Sequence, residues 1–161
     1  MKRKSIIALC FFIYSLTAAA QQIPDLKLDN LDGTTINLAI LNNQISKVTL
    51  LSFWATWCIP CINELSAIND NLPDWKKKHQ FDFYAVSVDD SRTISRVKPL
   101  VNGKNWDFAV LLDKNQELKR QLNVMNVPYT IIVKEGKIIY RHSGFVFGDE
   151  DELLKIIKDN Q

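Results

Sequence analysis

Two cysteines in the string Phe53-Trp54-Ala55-Thr56-Trp57-Cys58-Ile59-Pro60-Cys61 are the side chains whose type and spacing point most directly to chemistry. A Cys-x-x-Cys pair can close a small disulfide ring without reorganising the backbone. Before it runs an apolar stretch, 47–53, of strand length and rich in residues suited to a buried strand. After it, Leu65, Ile68 and Leu72 recur at helical spacing. The pair therefore falls where a buried strand hands over to the first turn of a helix. Free backbone N–H groups and the helix dipole favour a thiolate at that place. The combination predicts a redox site.

Whether the pair stands alone depends on the first twenty residues. Lys2, Arg3 and Lys4 form a basic start, 6–16 is mostly apolar, and Ala18-Ala19-Ala20 offers a small-residue cleavage site. The apolar run is shorter than the ~20 residues a spanning helix needs. Residues 1–20 are therefore expected to be a cleaved export signal, with an uncleaved N-terminal anchor as the alternative. Lipidation at Cys10 is disfavoured by the bulky Leu9 before it. Of 20 basic residues three lie in the signal, which leaves 17 against 18 acidic ones, and no basic face for nucleic acid. Of three cysteines, Cys58 and Cys61 remain. An exported chain stabilised by disulfides usually ties distant loops together, and so short a loop restrains little of the unfolded chain. A structural bridge is thus the weaker reading. A closed zinc site wants four ligands, and no second Cys or His pair accompanies these two.

The elements around the pair read as one α/β domain over 21–161, a length typical of a single core. Loose alternation over 23–28 and 34–38, with turn residues at 30–33, predicts a hairpin, then a helical turn near 38–41. Pro60 suits the start of the helix that follows the cysteines. Pro73 is expected to break or kink that helix near Leu72. Strands are expected at 81–88, 107–112 and 129–134. Asp89-Asp90-Ser91 should cap a helix over 92–101, Asp113 a helix over 114–122, and 149–158 should close the chain as an amphipathic helix. Glu135-Gly136 should turn 129–134 back into a strand over 137–143. Early strand–helix alternation followed by a hairpin predicts a mixed sheet sandwiched by helices.

Trp57-Cys58-Ile59-Pro60-Cys61 after a strand, with Val127-Pro128 before the late hairpin, resembles the thioredoxin superfamily. The fuller Phe-Trp-Ala-Thr-Trp-Cys-x-Pro-Cys string, the N-terminal hairpin and an extra strand–helix stretch over about 81–101 are similar to its exported TlpA/ResA branch. The resemblance covers about 23–158 and implies a thioredoxin-like fold and thiol–disulfide oxidoreductase activity. Cys58, first and at the helix start, would attack a partner disulfide, and Cys61 would resolve the mixed disulfide. Pro128 matches the superfamily's cis-proline, so Val127 would offer backbone groups to an extended substrate segment. Trp57, beside Cys58, would shape the docking surface, with a shielding role as the plainer alternative. Glu64 matches a glutamate that ResA-like proteins use to tune the cysteines and move protons, against a plain solvated helix charge. Ser52 stands where thioredoxin has a buried aspartate. A hydroxyl cannot replace that proton acceptor, so any acid–base role falls more heavily on Glu64. Ile59, in the variable Ile59-Pro60 dipeptide, brings no cation to a Cys58 thiolate, and the histidine common in strong oxidants is missing there, which tends toward a reductant.

The resemblance implies a periplasmic protein that reduces disulfides of other exported proteins, cytochrome c apoproteins among them. Its electrons would come from a membrane or periplasmic donor. No Gly-x-Gly-x-x-Gly run supports a nicotinamide or flavin, so no cofactor is expected, and no metal. The membrane would enter only through an uncleaved anchor. The alternatives are a dithiol oxidant or isomerase, a copper chaperone using His142, and a non-catalytic binding module. His79 and His142 are otherwise expected to be surface residues.

Overall fold

A computed structural model describes residues 21–43 and 47–161, so the expectation for residues 1–20 lies outside the described residues. Seven strands form one mixed sheet: β1 (Lys27–Asn30), β2 (Thr35–Asn37), β3 (Val48–Trp54), β4 (Phe81–Ser87), β5 (Ala109–Leu112), β6 (Tyr129–Lys134) and β7 (Lys137–Ser143). Their spatial order is β2-β1-β5-β4-β3-β6-β7. The helices are α1 (Ile59–Lys78), α2 (Val97–Gly103), α3 (Glu117–Gln121) and α4 (Asp149–Asp159). This is the α/β mixed sheet with an N-terminal hairpin that the pattern predicts.

β3 is central, parallel to β4 and antiparallel to β6. All seven of its residues are buried, so both faces of the sheet are covered there. That explains why apolar residues fall on both faces of the strand, with Thr49 and Ser52 its polar residues, rather than alternating. α1 packs on β3 and against α4. An aromatic run joins the end of β3 to the α2–β5 region. Trp54 meets Trp106 edge-on at 5.4 Å, Trp106 stacks on Phe108, and Phe108 meets Phe83 edge-on.

Pro73 does not break α1, which runs unbroken to Lys78. An interior proline costs about 3 kcal/mol through its lost hydrogen bond and clash. Leu72 and Trp75 flank it and are buried, and each contributes about 2 kcal/mol by leaving water. Core packing of the last turns therefore outweighs the local penalty.

Two further expectations are corrected. The 92–101 segment begins as a short 3-10 turn (Ile94–Arg96), and α2 starts only at Val97. The residues before it form a turn in which Asp90 accepts from the backbone N–H of Arg92, while Asp89 is turned inward. α3 likewise starts at Glu117 rather than 114, yet Asp113 does cap it, accepting from the N–H groups of Glu117, Leu118 and Lys119. The β6–β7 turn places Glu135 at φ 51° and Gly136 at φ 73°, the two left-handed positions of a tight hairpin.

Candidate active site

β3 delivers the chain to the cysteines, and a turn fixes how it leaves. The N–H of Cys58 donates to the carbonyl of Ala55 at 3.0 Å, and that of Val88 to Trp54 at 2.8 Å. Asp89, fully buried, clamps the middle of the turn. It accepts from the Thr56 N–H at 2.9 Å and from the Thr56 hydroxyl at 2.6 Å, and the Ser87 hydroxyl also donates to it. A residue expected to cap a helix instead ties the end of β4 to the cysteine turn.

Cys58 is the N-cap of α1, in extended conformation, and its sulfur accepts from the backbone N–H of Cys61 at 3.3 Å. Ile59 and Pro60 form the first turn, where proline's missing N–H costs nothing. Cys58 and Cys61 are joined as a disulfide, with Cα atoms 5.3 Å apart. The two sulfurs have different surroundings. Cys58 retains 6 % of its surface and Cys61 none, so an incoming group can reach only Cys58. Around it, Trp57, Ile59 and Pro60 are exposed.

Behind Cys61 lies Glu64, one helical turn further along α1, on the same face. Glu64 is not a solvated helix charge: it is 1 % exposed. Its Oε2 accepts from the Ser52 hydroxyl at 2.9 Å and its Oε1 from the Thr130 hydroxyl at 2.7 Å. Ser52 and Thr130 are direct partners across the β3–β6 ladder, so both hydroxyls stand on one face. Burial pushes the Glu64 carboxyl up to about 7. The two hydroxyls and the nearby His142 pull the other way, and Asp149 adds to the rise. Near neutral pH this carboxyl can therefore either hold or accept a proton.

The Val127–Pro128 bond is cis. Phe53 pairs with Tyr129 across β3–β6, so the preceding proline stands beside the end of β3 from which the cysteine turn departs. Pro128 is buried and Val127 half-buried. The carbonyl of Pro128 accepts from the Gly144 N–H at 2.9 Å, which anchors the loop after β7 to the same end of the sheet. Met125, Val146 and Phe147 are exposed apolar residues on the two loops flanking this junction.

The fold thus brings the cysteine pair, Glu64 and Val127-Pro128 to the C-terminal end of β3. Thr130 and the aromatic loop at Phe145 and Phe147 went unread in the sequence. Position 130 lies two residues after Pro128 in an ordinary strand pattern, and only its register opposite Ser52 reveals it. His142 is half-buried, and its Nε2 lies 3.2 Å from Asp149 Oδ2. His79 is half-buried too, with Nδ1 2.9 Å from Gln161 Oε1.

With this geometry in place, the chain can be set beside known proteins. The AhpC/TSA family profile matches residues 19–142. The thiol-disulfide oxidoreductase ResA of Bacillus thuringiensis (strain Al Hakam) is 30% identical over 120 residues, covering 74% of this chain and 66% of that protein. The chain thus spans just under two thirds of the length of that curated relative. Among solved structures, a thioredoxin-like protein from Porphyromonas gingivalis is 38% identical, with a TM-score of 0.72 over 85% of this chain and 90% of its own. A thiol:disulfide interchange protein DsbE, so named as a putative assignment, from Chlorobium tepidum is 25% identical, with a TM-score of 0.76 over 88% of this chain and 96% of its own.

Proposed function

This chain belongs to the AhpC/TSA family and has a thioredoxin-like fold, and from that premise we propose that it is a thiol–disulfide oxidoreductase that reduces disulfides in exported proteins. The observation that carries the proposal is the asymmetry of the pair: a reachable Cys58 at a helix N-terminus, and a buried Cys61 backed by Glu64. Similarity to proteins named ResA and DsbE supports it.

In the reduced protein, the N–H that now donates to the Cys58 sulfur stabilises a thiolate there. That thiolate attacks the client's disulfide, forming a Cys58–client bond and releasing one client sulfur. Glu64 as carboxylate takes the Cys61 proton, and the Cys61 thiolate attacks the Cys58 sulfur. The Cys58–Cys61 bond forms, the Cys58–client bond breaks, and the second client sulfur leaves as a thiolate that takes a proton from water. Two electrons have then passed from the dithiol to the client. Val127 pairs with an extended client segment through its backbone beside Pro128, and Trp57 covers the docked chain. A membrane or periplasmic thiol donor restores the dithiol. The apolar start of the chain serves export to the periplasm. Clients include apocytochrome c, whose haem-binding cysteines must be reduced.

The test is the reduction potential of the Cys58–Cys61 pair, together with reduction of an oxidised Cys-x-x-Cys-His peptide. A potential in the thioredoxin range, about −270 mV, with rapid peptide reduction is the expected result; a value near about −120 mV makes the protein an oxidant.

A further inference from the structure

One row of polar side chains crosses three strands beneath α1 and α4. Ser52 on β3 pairs with Thr130 on β6, and Thr130 pairs with His142 on β7. Directly opposed residues share a face of the sheet, so all three face the side occupied by Glu64. The row ends at α4, where Asp149 Oδ2 lies 3.2 Å from His142 Nε2 and also accepts from the Val146 N–H at 2.7 Å. Tyr140 stacks parallel to the imidazole, its hydroxyl 3.5 Å from Nδ1.

A half-buried imidazole beside a buried carboxyl has two roles open to it. It can latch β7 to α4 through Asp149, or it can act on the charge of Glu64. The latch alone explains the hydrogen bond to Asp149 but not the position in line with Thr130. We propose that His142, oriented by Asp149, is a positioning residue for Glu64, whose imidazolium charge favours the carboxylate that receives the Cys61 proton. This rests on Glu64 being the base for Cys61, as in the function proposed above.

The charges that face the pair from each element are few. From α1 comes Glu64; from β3 and β6 come only the Ser52 and Thr130 hydroxyls; from β7 comes Tyr140; and from α4 come Asp149 and, against Tyr140, Glu152. His142 is the one cation among them, and its charge favours the Glu64 carboxylate while Asp149 opposes it. In the resolving step the imidazolium exchanges no proton and no electrons. The Cys61 proton goes to Glu64, the Cys61 sulfur bonds to Cys58, and the client sulfur leaves. Glu64 then returns the proton to water.

The experiment follows the Glu64 carboxyl by 13C NMR in the oxidised protein, where neither cysteine titrates. His142→Gln should raise the Glu64 midpoint by about 0.5 unit, a fraction of the 1–3 units a charge in direct contact commands. It should also slow resolution of a preformed mixed disulfide about twofold at pH 7. His142→Lys should restore both values. An unmoved midpoint in His142→Gln, or a Lys variant indistinguishable from it, overturns the proposal. Resolution by Glu64→Gln as fast as wild type would instead remove the base role of Glu64, and that result is read independently of the midpoint.

Discussion

The two sulfurs of one disulfide face different worlds. On the Cys58 side, Trp57, Ile59 and Pro60 are exposed, and Cys58 itself keeps a little accessible surface. On the Cys61 side the cysteine is fully buried, backed by the β3–β6 ladder and a buried carboxyl held by two hydroxyls. Two residues, Ile59 and Pro60, separate the cysteine of the exposed surface from the cysteine of the buried interior. The front can change partner by changing exposed side chains. The back cannot change without disturbing the core.

The sharpest break in this comparison is to exchange each sulfur in turn. Cys58→Ser should lower disulfide reduction to background, a loss of about 10³-fold or more, because the one reachable cysteine among the described residues is gone. Cys61→Ser should still attack but not release, so a covalent adduct with a disulfide-bearing client should persist on a non-reducing gel. If the two variants accumulate adduct equally, the front and back are not distinct.

Glu64→Gln tests the interior side. A base in direct line contributes about 10²-fold, so resolution above pH 7 should slow by about that factor and lose its rise through pH 7. The same carboxyl makes a stability claim. Its folded value of about 7 lies above its ordinary 4.5, so the folded protein holds the extra proton between those values. The stability this confers is complete below about pH 4.5 and is lost as pH rises through 7, by about 3 kcal/mol. Denaturant titrations of oxidised wild type should show that loss relative to Glu64→Gln, whose difference from pH 4.5 to 7.5 should lack this component. Parallel pH profiles for the two proteins would mean that Glu64 stays charged when buried.

A smaller effect is expected from the hydroxyl that the sequence did not reveal. Thr130→Val keeps the shape of the side chain and removes the 2.7 Å hydrogen bond to Glu64 Oε1. That bond lowers the carboxyl's proton affinity, so the Glu64 midpoint should rise by about one unit and resolution at pH 7 should slow several-fold. Ser52→Ala should act in the same direction.

What was legible in the sequence follows the same division. The cysteine turn, the helix start at Pro60 and the Glu135-Gly136 hairpin are set by residues adjacent in the chain, and they are found where the pattern places them. The support for Glu64 comes from residues 12 and 66 positions away, joined only by the register of β3 against β6. A serine and a threonine in apolar strands look like tolerated polar residues until that register is known. Asp89 shows the same limit, since a carboxylate after a strand reads as a cap until Thr56 is seen to hold it. Pro73 fails for the opposite reason: its local penalty is real, but the burial of Leu72 and Trp75 outweighs it.

The exposed side should yield the smallest effects, and they should depend on the size of the partner. Trp57 is 59 % exposed beside Cys58, which is 6 % exposed. A client chain docking there gains most by covering the indole, whereas a small disulfide such as that of oxidised glutathione covers little of it. Trp57→Ala should therefore lower kcat/KM for a folded disulfide protein about fivefold, near 1 kcal/mol, with a much smaller loss for the small disulfide. The buried carboxyl is untouched by the change, so the pH profile of resolution should keep its midpoint. A Trp57→Ala protein that loses equally on both substrates, or whose profile moves, would show that the indole shields the disulfide rather than docking a client.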